Sequence, residues 1–249
     1  MMFQRRRRSR IHISPHEKKL FHYLYEHRAA LGDQIHRDIY SDLDRGSVRN
    51  RLGKLMRHGL VKGVFCRTFG TKLVYFLGSV GFNEFIKPLG KNVKRELGSN
   101  AIEHDVTLLE IRRMLQKSPS MKKYYPENLV TGNGVVSFDT DTFFIAGFKP
   151  DAVVEVKIKG TFFHLALEYE YSRKFQDRYE DLFRRYYGNQ SVLGVLYICD
   201  NEAMLKTIQS YEKKMLGQQV PKFYYSDFSK WTETAVKVFT NLEGTCITL

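Results

Sequence analysis

Apolar positions recur at helical spacing near the start of the chain, where Leu20, Phe21, Leu24 and Tyr25 share one face. Ser14, Pro15 and Glu17 open that stretch with a hydroxyl cap, a first-turn proline and an acid near the positive helix end. A helix is therefore expected from Ser14 to about Ala30, broken by Gly32. Asp33 is placed to cap a second, short helix carrying Ile35 and Ile39. A turn over 41–46 leads to a third helix, from about Arg45 to His58, with Gly59 as its stop. At about 100° per residue, Val48, Leu52, Leu55 and Met56 cluster on one side of it. Asn50, Lys54 and Arg57 lie nearly opposite, flanked by Arg49 and Arg51. Strands are expected over 60–65 and 72–77, around a turn at 67–71.

The second half alternates differently. Residues 87–100 contain Pro88, Gly90 and Gly98 and read as a linker. A helix is expected over 101–117 and short strands over 129–131, 135–138 and 143–145. Further strands follow over 151–157 and 162–171, separated by Lys159-Gly160. Ser172 is placed to cap a helix running to Tyr187. A buried strand over 192–199, a helix over 202–216 and a strand over 222–228 complete the pattern. The predicted order is α-β-β-β-α-β, and the whole is an α+β chain.

Charge sharpens this picture. Residues 1–100 hold 21 Lys and Arg against 8 Asp and Glu, while the remainder holds 19 of each. The entire excess of +13 therefore lies in the first two fifths. Segregation of this kind favours a polyphosphate partner, through counterion release, over a merely solvated surface. No apolar run approaches the roughly 20 residues of a membrane helix. The basic start, without an apolar stretch after it, is not expected to be a secretion signal. Cys66, Cys199 and Cys246 have no metal or redox spacing, so a soluble cytoplasmic protein is expected.

The third helix has the make-up of a recognition helix. Arginine can read guanine and asparagine adenine, while further cations hold phosphates. "RNRLGKLMRHGLVKG" followed by "KLVYFLGSVGFNEF" resembles the helix, strand, wing, strand run of winged helix-turn-helix domains, over residues 14–87. The resemblance implies duplex DNA as partner. The residues it places at DNA are Arg45, Ser47, Arg49, Asn50, Arg51, Lys54 and Arg57 on the helix, with Arg67 and Lys72 on the wing. Arg5, Arg6, Arg7 and Arg8, within a basic arm over 1–13, are expected on phosphates or in a minor groove.

The later elements, residues 101–249, resemble the core of the PD-(D/E)XK restriction-endonuclease-like superfamily. Lys149-Pro150-Asp151 supplies the P-D, and Glu168-Tyr169-Glu170 the acidic strand that follows. Residues two apart on a strand share a face, so Glu168 and Glu170 project together and Asp151 can join them from the neighbouring strand. Three such carboxylates could hold Mg²⁺ or Mn²⁺ and activate water. Glu170 stands where the superfamily has lysine, and Lys174 is the nearest substitute. Winged helix, "IEHDVTLLEI", "KPDAVV" and "LALEYEYSRKFQDRYEDLFRRYY" together are similar to the replication-relaxation family of plasmids and mobile elements. This implies DNA binding in replication, relaxation or mobilisation, or in their regulation. A Mg²⁺-dependent endonuclease using Asp151, Glu168 and Glu170 is one alternative. A repressor whose second domain dimerises is another. The reading also admits a homodimer, or other replication or transfer proteins, as partners, and no membrane.

Overall fold

The computed structural model describes residues 11–90, 97–131, 145–232 and 236–249. The chain divides into two compact units, Met1–Val106 and Thr107–Leu249. The boundary falls inside the helix Ile102–Gln116, later than the composition of 87–100 suggested.

The first unit packs three helices against a three-stranded antiparallel sheet of order β1-β3-β2. The helices are α1 (Pro15–His27), α2 (Gly32–Ile39) and α3 (Arg45–Arg57), and the strands β1 (Ala30–Leu31), β2 (Val61–Phe65) and β3 (Leu73–Leu77). At the start of α1, Glu17 accepts the Ser14 amide at 2.6 Å. The helix ends three residues sooner than expected. Arg28 takes a positive φ of 61°, and the fully buried Ala29 and Ala30 turn into β1, where Ala30 pairs with Tyr75. Asp33 does not cap α2. The side chain of Gln34 accepts the Leu31 amide at 2.9 Å, while Asp33 turns outward to Lys72 and Arg45. Asp44 caps α3, accepting the Ser47 amide at 2.9 Å. Val48, Leu52 and Leu55 face the core.

Two glycines set the path of the hairpin. Gly59 ends α3 with φ 72°, as its position predicts. Gly78, after β3, lies so close to Gly59 that an added Cβ would come within 2.1 Å of the Gly59 carbonyl oxygen. A short irregular helix follows, from Ser79–Gly81 through Phe82–Ile86 to Lys87–Leu89. The first turns of Ile102–Gln116 also belong to this unit. Val106 packs with Ala29, Val74 and Phe76, and its carbonyl accepts from Gln34 at 3.0 Å.

The second unit is built on a seven-stranded mixed sheet of order β10-β9-β8-β7-β6-β5-β4. Its strands are β4 (Met121–Pro126), β5 (Ala152–Ile158), β6 (Thr161–Glu170), β7 (Val195–Cys199), β8 (Phe223–Asp227), β9 (Val238–Thr240) and β10 (Cys246–Thr248). β6, β7 and β8 are parallel and the other pairings antiparallel. The helices Gln176–Tyr187 and Glu202–Leu216 provide the crossovers that parallel neighbours require. Side chains alternate between two cores, as the pleat demands. Val153, Ala166, Val195, Tyr197 and Phe223 meet these two helices. Val154, Leu165, Leu167, Leu196 and Ile198 face the other way, towards Ile111, Leu115, Phe239 and Leu249. Trp231 packs at the edge of that second core, edge-on to Phe239, with its indole N–H donating to Ser226 at 2.9 Å.

Several expectations fail here for definable reasons. Leu129–Thr131 is helical, within Glu127–Thr131, and the first strand lies earlier, at β4. The expected strands over 135–138 and most of 143–145 lie outside the described residues. Ser172 does not cap a helix; the helix starts at Gln176, because residues 171–175 form an exposed strap held by Lys174. Its amide donates to the Tyr179 hydroxyl at 2.9 Å and its ammonium pairs with Glu170. The hairpin β9–β10 has no counterpart in the sequence-based reading. Among the described residues no helix is long and apolar enough to cross a membrane.

Candidate functional site

The outer face of α3 is the first candidate. Arg49, Asn50, Lys54 and Arg57 are all exposed. None of them makes a side-chain hydrogen bond or ion pair among the described residues. Three uncommitted cations and an amide thus project from one face of one helix. Arg67 is exposed in the turn between β2 and β3, again uncommitted. Four other expected DNA residues, Arg45, Ser47, Arg51 and Lys72, are held by the protein itself. Arg51 is a structural group. It donates to the buried carboxylate of Glu17 at 2.6 Å and to the His12 carbonyl at 2.6 Å. Burial would raise the Glu17 carboxyl, but the hydrogen bonds from Arg51 and Ser14 outweigh it and lower it to about 2. Ser47 is tied to Asp44 at the cap of α3. Arg5 to Arg8 lie outside the described residues.

Beside that face lies a cleft of about 640 Å³. Asp33 and His36 of α2, Arg45 and Arg49 of α3, and Lys72 and Tyr75 of the hairpin line it. Asp33 is central. Its carboxylate is 3.0 Å from Lys72 Nζ and 3.5 Å from Arg45 Nη1. The hydrogen bond from Lys72 lowers the Asp33 carboxyl further than partial burial raises it. Sequence reasoning missed this role because the partner is 39 residues away, with no local signal linking them.

The second candidate is the acidic face of the sheet. β5 and β6 pair with Ala152 opposite Leu167, so Asp151 and Glu168 enter side by side. By strand alternation Asp151, Glu168 and Glu170 share the face that carries Gln176–Tyr187. That much agrees with the sequence. Their partners do not fit a cation site. Asp151 accepts the Tyr169 amide at 2.7 Å. Glu168 accepts from the Tyr186 hydroxyl at 2.6 Å. Burial, reinforced by the Asp151 charge, pushes Glu168 up to about 8. Glu170 is buried, and burial raises its carboxyl against the pull of Lys174, whose Nζ lies 3.1 Å away. The Tyr197 hydroxyl donates to it at 3.3 Å. Among the described residues no three His, Cys, Asp or Glu side chains are grouped to hold a metal ion. The space around these carboxylates holds the Lys174 ammonium and the hydroxyls of Tyr186 and Tyr197, and no step through Mg²⁺ or Mn²⁺ is derived from this arrangement.

Tyr186 and Tyr187 close the core at the end of their helix. Tyr187 donates to Glu212, which is fully buried and also accepts from Tyr225 at 2.9 Å. These buried tyrosine–glutamate pairs could have been suspected only with the register known, since each joins residues 13 to 27 apart.

Comparison with protein-family models, with curated proteins and with solved structures finds no match to this chain.

Proposed function

We propose that the first unit is a winged helix-turn-helix domain that binds duplex DNA, with α3 in the major groove and the β2–β3 hairpin as the wing. The observation that carries this reading is the uncommitted face of Arg49, Asn50, Lys54 and Arg57. Cations with no partner among the described residues are available to phosphates, and the amide among them can read a base edge. Order of elements and sheet pairing, three helices then a hairpin joined by β1, are consistent with such a domain. The second unit is, in this reading, an interaction or nucleic-acid-handling module without nuclease activity. What supports this is that Lys174 and the Tyr186 hydroxyl are the partners of Glu170 and Glu168, the carboxylates on which cleavage would depend. The sequence resemblance to the replication-relaxation family supports a role in mobile-element replication, transfer or their regulation.

The test uses the full chain and labelled duplex DNA at several salt concentrations. The affinity should fall steeply with salt. Replacing Arg49, Lys54 and Arg57 together by alanine should flatten the salt slope by about two to three. Equal binding by wild type and triple variant would refute the placement of α3. Incubation with supercoiled, linear and single-stranded DNA plus Mg²⁺ or Mn²⁺ should leave the DNA intact. Cleavage abolished by Asp151→Asn would establish the nuclease reading instead.

A further inference from the structure

We infer that Asp33 is an internal substitute for a DNA phosphate, occupying Arg45 and Lys72 in the free protein and releasing them when a phosphate enters the cleft. The inference rests on the DNA-binding reading above. It adds a binding site for one backbone phosphate and a residue that limits affinity.

The geometry points this way. Arg45 opens α3 and Lys72 immediately precedes β3, and they face each other across one cleft with Asp33 between them. A single carboxylate therefore draws together two cations from separate elements. The side chains of all three are about half exposed or more: 49% for Asp33, 58% for Lys72 and 78% for Arg45. The pairs are thus open to solvent and can exchange partners. The Arg45 contact is long at 3.5 Å, so its fork is not saturated by Asp33. A backbone phosphodiester carries the same single charge on two non-bridging oxygens and can likewise accept from guanidinium and ammonium together. Arg49 lines the same cleft and is uncommitted, so an entering phosphate would meet a third cation. His36 also faces the space. Asp33 does no capping that would explain its presence at this point of α2, since Gln34 accepts the Leu31 amide. With a phosphate present, the carboxylate is a repulsive neighbour.

The expected effect has an unusual sign. Asp33→Asn removes two ion pairs from the protein, yet it should bind DNA more tightly. At low salt the gain should be on the order of ten-fold. The salt slope should steepen by about 0.9, one more phosphate equivalent, so the advantage shrinks as salt rises. The gain should be lost when Arg45 and Lys72 are also alanine, because Asp33 acts through them. Glu84→Gln, which removes an exposed acid elsewhere in the unit, should give a clearly smaller gain. Melting curves of each variant establish that the fold is retained. Weaker or unchanged binding by Asp33→Asn, with wild type binding normally, overturns the inference and leaves the DNA-binding reading standing. So does a gain equal to that of Glu84→Gln, or one that survives in the Arg45/Lys72 double-alanine background. Failure of the wild type to bind DNA at low salt would remove the underlying reading itself.

Discussion

Glu17 and Glu168 are held in opposite ways, and each makes stability depend on pH with its own sign. Glu168 has a folded value of about 8 against an ordinary 4.5. Below about pH 4.5 it is protonated folded or unfolded and costs nothing. As pH rises towards 8 the unfolded chain ionises while the folded one does not, so stability falls. Glu168→Gln keeps an acceptor for Tyr186 and removes that penalty. It should raise the melting temperature of the second unit at pH 7, by on the order of 3 kcal/mol in stability, and change little at pH 4. An equal effect at both pH values would mean that Glu168 is not protonated in the folded state. Mg²⁺ should leave the same melting curve unmoved. A rise with metal that Asp151→Asn abolishes would show that the cation displaces Lys174. Glu17 is the reverse case, lowered to about 2. Its contribution is present above pH 4.5 and lost as pH falls towards 2. Arg51→Ala should therefore destabilise the first unit by about 3 kcal/mol, since it strands a buried carboxylate. Any loss of DNA affinity should then follow from stability rather than base recognition.

At the scale of elements, glycines test how the hairpin is joined to α3. Gly78→Ala drives a Cβ into the Gly59 backbone and should cost about 3 kcal/mol, the upper end of overpacking. Gly70→Ala meets nothing within 4 Å and suffers only from its backbone, φ 64° and ψ −121°, so about 1–2 kcal/mol is expected. Similar losses at both sites, in thermal or urea melts, would show that the close approach of Gly78 is relaxed in solution. The helices were readable from the sequence where apolar spacing and caps agree, as in α1, α3 and Glu202–Leu216. They were not readable where a distant contact decides. β4 was missed because Lys122 and Lys123 interrupt its alternation and its register shifts between Met121 and Lys123. Both lysines are exposed on an edge strand, where such charges discourage further pairing. Leu129–Thr131 has strand-like residues but follows Glu127, whose amide is bound by the Asp151 carbonyl. For the acidic face, strand alternation puts Asp151, Glu168 and Glu170 on one side of the sheet. What neutralises them is supplied by Tyr186, Tyr197 and Lys174, whose positions depend on the crossover helix and the parallel register. The same holds for Arg51. Its helical angle allowed DNA, and the tertiary contact with Glu17 decided otherwise.

Across the whole molecule, the two units have separate cores and opposite linkage. Calorimetry over a range of pH should resolve two transitions moving in contrary directions below neutrality. The first unit should be destabilised as the solution becomes acidic, and the second stabilised. A single transition shifting one way would mean that the units unfold together. Charge follows the same division, since the basic excess lies in residues 1–100. Salt added to a DNA titration should therefore act through the first unit. The chain also contains one tryptophan, Trp231, and it sits in the second unit against Phe239 and beneath the Lys237 ammonium, 5.7 Å from the ring. Indole emission is thus a private optical channel. It follows the melting of one unit while the other, which has tyrosines but no indole, stays dark to it. A DNA duplex engaged only by α3 and the hairpin would leave that signal unchanged at saturation.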